Sequence, residues 1–229
     1  MNMTIAEACQ VPKVLQDVDQ ATRAKLITNG LIRSYKKGEI IFRDQQEVDR
    51  FYFVISGYVN LYKVNMKQSQ KVIFIYGAGE MLNEVLIDRP KASINCEALS
   101  EVVTLSYSRK QLLEMMEQDF GLTLAIMKSS AKKTRRLYRQ LANTSNMVHV
   151  DSQVASKLWK LARDYGEVTE EGVRIDFELS ISFLADMIGS KRETVSRIVN
   201  RFCKEGLLRT RRNIFIIVDM NGIKDYSKE

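Results

Sequence analysis

The stretch "GSKRETVSRIVNRF", residues 189–202, decides how the C-terminal part of the chain folds. Its apolar residues Val195, Ile198, Val199 and Phe202 fall at positions i, i+3, i+4 and i+7, the spacing of one buried helix face. Charged and polar side chains occupy the remaining faces. The stretch therefore predicts a helix whose apolar face packs on its own domain and whose polar face is available to a partner.

The residues around this stretch complete a helix-turn-helix pattern. A first helix is predicted over residues 181–188, and Gly189 permits a tight turn after it. Ser190 and Glu193 have the spacing of a capping box, in which a hydroxyl and a carboxylate each satisfy a free amide at a helix start. The second helix is therefore expected over residues 191–205.

The exposed side of the second helix carries side chains that suit DNA. In a helix-turn-helix the second helix lies in the major groove, where arginine matches the O6 and N7 acceptors of guanine and glutamate accepts from cytosine. Basic residues after the helix would meet phosphates. Two alternatives remain at this point: a basic face covered only by solvent, and a Glu193 that acts only as a cap. The candidate base-contacting residues are Arg192, Glu193, Ser196, Arg197 and Asn200, and the candidate phosphate contacts are Lys204, Arg209, Arg211 and Arg212. Arg201 is expected to face phosphate or solvent.

Charge and composition support a polyanionic partner. The 229-residue chain has a net charge of +7, and its length suggests one large or two modest domains. The basic excess lies in two segments, 109–143 and 191–212, with 8 Lys and Arg against 3 and 2 Asp and Glu respectively. Within the first segment, Lys132, Lys133, Arg135, Arg136 and Arg139 form a basic strip that we expect to face solvent, with acidic neighbours or DNA as alternatives.

The residue types offer little for catalysis. His149 is the only histidine, and Cys9, Cys96 and Cys203 form neither a zinc pattern nor a disulfide framework. We expect an inert buried Cys96 and a Cys9 in a loose N-terminal tail, with a redox pair as the alternative. We therefore expect no enzyme. The alternatives are a barrel-type metalloenzyme or small-molecule-binding module with a basic accessory domain, and a dimeric scaffold for protein contacts. The chain has no apolar run of about 18 residues and no secretory signal, which favours a cytoplasmic protein.

Residues 31–107 have the pattern of a small β domain. Aromatic and β-branched residues are interrupted by turn signals every 8–12 residues, which is typical of a sandwich or barrel. Two strands are expected to turn at Ser56-Gly57, followed by a loop over residues 65–70 and a further strand. A short amphipathic helix is predicted before them, over residues 14–30.

The period changes near residue 108, where apolar residues begin to recur every three or four positions. This spacing predicts one long helix over residues 108–143, about 50 Å in length. The apolar seam of this helix would pair with a second copy of the chain as a coiled coil, or else pack across its own barrel. The seam consists of Met116, Phe120, Thr123, Met127, Ala131, Thr134, Tyr138 and Leu141.

After this helix, a hinge is expected over residues 144–150. Asp151 or Ser152 is expected to cap a helix over 153–165. A hairpin or an extended connection is expected over 168–180, and a last strand pair over 206–219.

With these elements in order, the chain resembles the catabolite activator/fumarate-nitrate regulator (Crp/Fnr) family of bacterial transcription factors, and "GSKRETVSRIV" is similar to the recognition helix of that family. The resemblance implies an α+β fold with a cyclic-nucleotide-binding-like β-barrel of the jelly-roll type, a dimerisation helix and a winged helix-turn-helix. It implies a homodimer that regulates transcription from palindromic sites, with double-stranded DNA, a second copy and RNA polymerase as partners. The implied domains are 1–107 for effector sensing, 108–143 for dimerisation, 144–150 as hinge and 151–229 for DNA binding.

The resemblance also implies roles for single residues. Arg192, Glu193 and Arg197 would read bases together with Ser196, and Ser180 would donate to a phosphate. The full set of implied DNA-binding residues is Ser180, Ser190, Lys191, Arg192, Glu193, Ser196, Arg197, Asn200, Arg211 and Arg212.

The implied effector site departs from the family pattern. Asn83, Glu84 and Ser93 stand in the phosphate cassette that holds cyclic AMP in the family, but Asn83 replaces a glycine and Ala92 replaces the arginine. Without that arginine a cyclic phosphate loses its charged partner. Lys91 or Arg89 could substitute, but Lys91 is adjacent to the arginine position and Arg89 is three residues away, so we do not expect cyclic AMP to bind. An iron–sulfur cluster, which the fumarate-nitrate branch holds with four cysteines, is not expected either, because the chain has three. The effector therefore stays unidentified, with Asn83, Glu84 and Ser93 as its candidate contacts.

Overall fold

The computed structural model describes residues 3–65, 70–144 and 149–226, with the side chains of residues 142–144 left out. The chain forms two compact units, one from residues 1–63 and 73–141 and the other from residues 64–72 and 142–229. Among the described residues, no helix is long and apolar enough to cross a bilayer.

The N-terminal segment contains two helices and a single turn of 3-10 helix. These elements are α1 (Ile5–Ala8), the 3-10 turn Lys13–Leu15 and α2 (Gln20–Asn29). The prediction of one helix over residues 14–30 is therefore wrong at its start. Asp19 adopts an extended conformation there, and its side chain accepts a hydrogen bond of 2.6 Å from the Thr22 amide, so it caps a new helix instead of continuing one.

The predicted β domain is confirmed, with two sheets packed around an apolar core. Its strands are β1 (Leu31–Tyr35), β2 (Ile40–Phe42), β3 (Arg50–Ser56), β4 (Val59–Val64), β5 (Gln70–Tyr76), β6 (Asn95–Ala98) and β7 (Val102–Ser108). One sheet has the order β1-β7-β3 and the other β2-β6-β4-β5. Phe51, Phe53, Leu61 and Tyr107 are almost fully buried in this core.

The turn predicted at Ser56-Gly57 is confirmed, but it does not close a simple hairpin. Strand β3 pairs with β7, whereas β4 pairs with β6 in the other sheet, so the turn carries the chain from one sheet to the other. Gly57 has a φ of +80°, and a Cβ there would lie 2.0 Å from the carbonyl oxygen of Glu101. Only glycine fits this crossing.

The long helix predicted over residues 108–143 is wrong as a single helix, because it is broken at Asp119. The two parts are α3 (Arg109–Gln118) and α4 (Phe120–Thr144). The Asp119 carboxylate accepts from the amide of Leu122 in the first turn of α4 and from the amide of Asp19, each at 3.0 Å. A buried aspartate that caps a helix and binds a second segment stabilises the break.

The predicted hinge over residues 144–150 falls largely on residues 145–148, which lie outside the described residues. The helix after it, α5 (Val150–Tyr165), begins three residues earlier than predicted, and His149 occupies the N-cap position without a side-chain hydrogen bond. The predicted cap by Asp151 or Ser152 is therefore wrong. The Asp151 carboxylate accepts from Arg201 instead.

The C-terminal elements confirm both predicted strand pairs and the two helices between them. They are β8 (Gly166–Thr169), β9 (Gly172–Ile175), α6 (Ile181–Ile188), α7 (Arg192–Lys204), β10 (Leu208–Arg211), β11 (Ile214–Ile217) and α8 (Met220–Tyr226). The strands form one sheet in the order β10-β11-β9-β8. Leu158, Leu184, Val195, Phe202 and Ile217 are fully buried and fix α7 on this unit.

Candidate nucleic-acid interface and barrel site

The turn between α6 and α7 is built as the sequence predicts. Gly189 ends α6 with a φ of +77°, a left-handed conformation that favours glycine, and its amide donates to the Ala185 carbonyl at 2.8 Å. The amide of Ser190 donates to the same carbonyl at 3.1 Å. Apart from its own chain neighbours, no atom of the described residues lies within 4 Å of the position a Gly189 Cβ would take. The glycine is therefore needed for its backbone angle and not for space.

The start of α7 differs from the prediction. The capping box of Ser190 and Glu193 is wrong, because Lys191 is the N-cap residue and no side chain caps the helix. Ser190 lies one residue before the N-cap position, and its amide donates to the Ala185 carbonyl in the turn between the two helices. Glu193 stands in the first turn of α7 with its side chain exposed, so the interpretation of Glu193 as a cap alone no longer holds.

The faces of α7 separate as the apolar spacing predicts. Val195, Val199 and Phe202 are buried, and Ile198 is partly buried. The opposite surface holds the candidate base-contacting residues in an accessible position. Lys191, Arg192, Glu193, Arg197 and Asn200 are exposed, and Ser190 and Ser196 are half-buried.

The arginines of α7 fall into two groups. Within the described part of the chain, Arg192 and Arg197 form no salt bridge, so no carboxylate compensates their charges. Arg201 differs: it donates to the Asp151 carboxylate at 2.8 Å and lies over the rings of Phe202 and Tyr226. The Arg201 side chain is 45% exposed, so it still faces solvent as expected, and it also joins α7 to α5.

The hairpin of β10 and β11 forms a basic wing. Its two turn residues, Arg212 and Asn213, both have positive φ, at 46° and 68°, the geometry of a tight turn that suits the twist of a hairpin. Arg212 is exposed at the tip. Arg209 and Arg211 lie 3.7 and 3.5 Å from the carboxylate of Glu171, a residue between β8 and β9 that no sequence pattern identified.

Ser180 stands at the N-cap of α6. Its hydroxyl oxygen accepts a hydrogen bond of 3.0 Å from the Phe183 amide. A hydroxyl also has a proton to donate. The predicted donation from Ser180 to a phosphate is compatible with this geometry and stays a prediction.

Two of the three predicted effector residues, Asn83 and Ser93, line a small pocket, and Glu84 does not. The Asn83 side chain is almost fully buried and is bonded to the backbone of β3, accepting from the Tyr52 amide at 3.0 Å and donating to the Arg50 carbonyl at 2.8 Å. Ser93 is exposed. The pocket that Asn83 and Ser93 line has a volume of about 10 Å³, room for about one water.

Glu84, the third of these residues, is bound by a side chain from α4. Its carboxylate lies 2.5 Å from the Lys133 ammonium and accepts from the Ser129 hydroxyl at 3.2 Å. Lys133 is buried, so the expectation that it faces solvent within the basic strip is wrong. A second stripe on α4 predicts this position, because its residues also recur every three or four positions. The stripe is Leu122, Ile126, Ser129, Lys133 and Arg136.

Most of the predicted seam on α4 is exposed on the single chain. Phe120, Met127, Tyr138 and Leu141 are between 61% and 74% exposed, which is unusual for large apolar side chains. Of the other seam residues, Ala131 and Thr134 are exposed and Thr123 is half-buried on α4, whereas Met116 is half-buried on α3, before the break at Asp119.

The two cysteines of the barrel unit are both buried. Cys96 lies in the core as expected, but Cys9 is not in a loose tail: its sulfur lies 3.3 Å from the Tyr107 hydroxyl. Burial raises the pKa of both thiols, which keeps them protonated and unreactive. Among the described residues, no cluster of His, Cys, Asp or Glu has the arrangement of a metal site.

Comparison with known proteins places both units in described families. Residues 32–119 match the family model described as "Cyclic nucleotide-binding domain", and residues 152–226 match "Crp-like helix-turn-helix domain".

Curated relatives cover most of the chain. A "CRP-like cAMP-activated global transcriptional regulator" of Mycobacterium tuberculosis is 25% identical over 209 residues, which are 90% of this chain and 92% of the relative. The "Cyclic AMP receptor protein" of Thermus thermophilus is 27% identical over 181 residues, which are 77% of this chain and 79% of the relative. Among solved structures, FixK2 from Bradyrhizobium japonicum has the same fold, with a TM-score of 0.76 at 18% identity over 86% of this chain and 96% of that chain.

Proposed function

Because this chain belongs to the Crp/Fnr family of transcription regulators, we propose that it binds palindromic DNA sites as a homodimer and reads them with α7. Sequence-specific DNA binding by a helix-turn-helix is the function of the family. The observation that carries the assignment to α7 is the pair of uncompensated guanidinium groups of Arg192 and Arg197 on its exposed face.

The proposed contacts divide into base readers and phosphate contacts. Arg192, Glu193, Ser196 and Arg197 belong to the N-terminal half of α7, the part that reaches base edges when a recognition helix enters the major groove. Arginine can bind the O6 and N7 acceptors of guanine with two hydrogen bonds. The wing residues Arg211 and Arg212, together with Ser180, Ser190 and Lys191, would hold the backbone, while Asn200 extends the reading face.

The homodimer is supported by the exposed apolar seam of α4. Phe120, Met127, Tyr138 and Leu141 would lose contact with water if a second α4 packed against them. Two recognition helices about 34 Å apart would then enter successive major grooves, which is why the site should be a palindrome. Contact with RNA polymerase, common to regulators that activate transcription, stays a prediction.

Selection of bound fragments from genomic DNA tests this function. The full-length protein should enrich fragments that share a two-fold symmetric motif, with half-sites centred about 10 base pairs apart. The triple variant Arg192→Ala, Glu193→Ala, Arg197→Ala is the comparison, because all three side chains are exposed and their loss leaves the core intact. Enrichment of the same motif by this variant, or of no motif by the wild type, would overturn the proposal.

A further inference from the structure

We propose that the barrel site around Glu84 is a site for a primary ammonium group, filled by Lys133 of the same chain, and that it does not take a cyclic phosphate. Both residues lie in the first compact unit. The site holds α4 on the barrel without an added ligand.

The geometry around the Lys133 ammonium is that of a complete cation site. Its nitrogen lies 2.5 Å from Glu84, donates to the carbonyl oxygen of Met81 and stands 4.4 Å above the centre of the Tyr76 ring. The Glu80 carboxylate is 3.9 Å away. An ammonium has three protons to donate, and two oxygen atoms and an aromatic face receive them here.

The carboxylate of Glu84 is equally well satisfied. It is 3% exposed, and besides Lys133 it accepts from the hydroxyl of Ser129, one turn earlier on α4. Both of its partners therefore come from the same helix. A buried carboxylate without such partners would be strongly unfavourable, so the barrel requires a cation at this position.

The charges of the site favour a cation over an anion. Two carboxylates, Glu84 and Glu80, lie 2.5 and 3.9 Å from the Lys133 ammonium. The guanidinium of Arg136 is also close, 5.0 Å from the centre of the Phe74 ring and 5.9 Å from that of Tyr76, and its charge repels the ammonium. Burial lowers the pKa of Lys133, and the nearby Glu84 carboxylate opposes that effect by favouring the charged form. If Lys133 were removed, the buried Glu84 carboxylate would attract another cation and repel a phosphate.

The residues expected to hold a cyclic phosphate do not fit that ligand. Ala92, in the position of the arginine of the family cassette, is buried and carries no charge. The Asn83 side chain is bonded to the backbone of β3, and Ser93 lies at the surface. The pocket that Asn83 and Ser93 line also contains Ala92, so the described lining offers no positive charge to a phosphate.

The consequence for regulation rests on the proposed function. If α4 is the dimerisation helix, its placement on the barrel depends on Lys133 and not on a bound nucleotide. DNA binding should then occur without a cyclic nucleotide, and only a ligand that displaces the lysine ammonium could change the position of α4 at this site.

Chemical rescue of Lys133→Ala tests the ammonium site without any DNA. This variant lacks three carbons and the ammonium, which together correspond to n-propylammonium. We expect its melting temperature to fall by roughly 10 °C and to recover partly with n-propylammonium, but not with n-propanol. The control is Lys132→Ala, at the exposed neighbouring lysine, which should show neither the loss nor the rescue. Adding Glu84→Gln to Lys133→Ala should abolish the rescue.

Three outcomes would overturn the proposal: no recovery with n-propylammonium, equal recovery with n-propanol, or binding of cyclic AMP by the wild type in calorimetry. If Lys133→Ala does not fold, acylation of the wild type with an N-hydroxysuccinimide ester gives an independent result. Mass spectrometry should show Lys133 labelled at least tenfold more slowly than Lys132, and equal rates would contradict the site. A failure of the proposed function would instead appear as an absence of DNA binding with the rescue intact.

Discussion

Arg201 of α7 donates to Asp151 of α5 across 2.8 Å, so one arginine on the recognition helix faces its own domain. The hydrogen bond from Arg201 is the main cause that lowers the pKa of Asp151. The side chains are 45% and 31% exposed, which places the pair near the surface. Its contribution to the free energy of unfolding should therefore be small, about 0.2–1 kcal/mol.

Replacing Arg201 with alanine should destabilise the protein slightly and only when Asp151 is charged. Because the pKa of Asp151 is lowered in the folded state, its stabilising effect is present above the ordinary aspartate pKa near 3.8 and is lost as the pH falls through the lower folded value. Urea unfolding at pH 7 should show the difference between wild type and Arg201→Ala, and the difference should shrink below about pH 3.8.

The matched variant Asp151→Asn should lose a similar free energy of unfolding at pH 7. As for Arg201→Ala, its difference from wild type should shrink at low pH. If the loss in free energy of unfolding for Arg201→Ala stays the same at low pH, then packing on Phe202 and Tyr226, and not the ion pair, stabilises the fold.

Arg197→Ala should reduce discrimination between DNA sites, because its guanidinium is exposed on α7 and is not bound to a carboxylate among the described residues. We expect a loss of about 1–3 kcal/mol in the free energy difference between the selected site and one altered at the contacted base pair. Fluorescence anisotropy with both duplexes measures it. Arg201→Ala is the control and should leave that difference almost unchanged. Equal weakening on both duplexes would make Arg197 a phosphate contact.

The wing should show the opposite behaviour, because we propose that its arginines contact phosphates and not bases. Arg211→Ala should weaken all duplexes alike and lower the slope of log K against log salt by about one. Glu171 holds Arg211 at 3.5 Å and Arg209 at 3.7 Å in the free protein, so it competes with DNA for them. Glu171→Gln should therefore tighten binding to selected and unrelated duplexes by the same factor. A change in sequence preference in either variant would contradict this division of roles.

The order of the elements could be predicted from the sequence because hydrophobic spacing reports which face is buried. Val195, Val199 and Phe202 are the example: their spacing predicted the buried face of α7. The turns at Gly57 and Gly189 were also predictable, since both positions require a positive φ that glycine adopts most readily.

Helix ends and pairings between distant residues were not predictable in the same way. Asp119 interrupts the predicted long helix because its carboxylate also binds Asp19, a residue 100 positions away that no local pattern identifies. The capping box predicted at Ser190 does not form, because the Ser190 amide donates a hydrogen bond to the Ala185 carbonyl at the end of α6. Lys133 was predicted to face solvent because lysine is seldom buried without a partner. Its partner Glu84 is 49 positions away in the sequence, so no local pattern identifies the pair.

Met127→Asp should split the proposed homodimer into single chains of 26.4 kDa. Met127 is 61% exposed in the isolated chain, so a carboxylate is tolerated there, but two of them facing each other across paired α4 helices would be desolvated and would repel. The matched control is Val85→Asp, because Val85 is an apolar residue of the same unit with 58% exposure that lies outside the seam. Sedimentation equilibrium should give the dimer mass for wild type and control and the monomer mass for Met127→Asp. A dimer mass for Met127→Asp would show that α4 does not pair through this face. DNA affinity measured on the same samples then tests the proposed reading of DNA by α7 independently of the dimer interface.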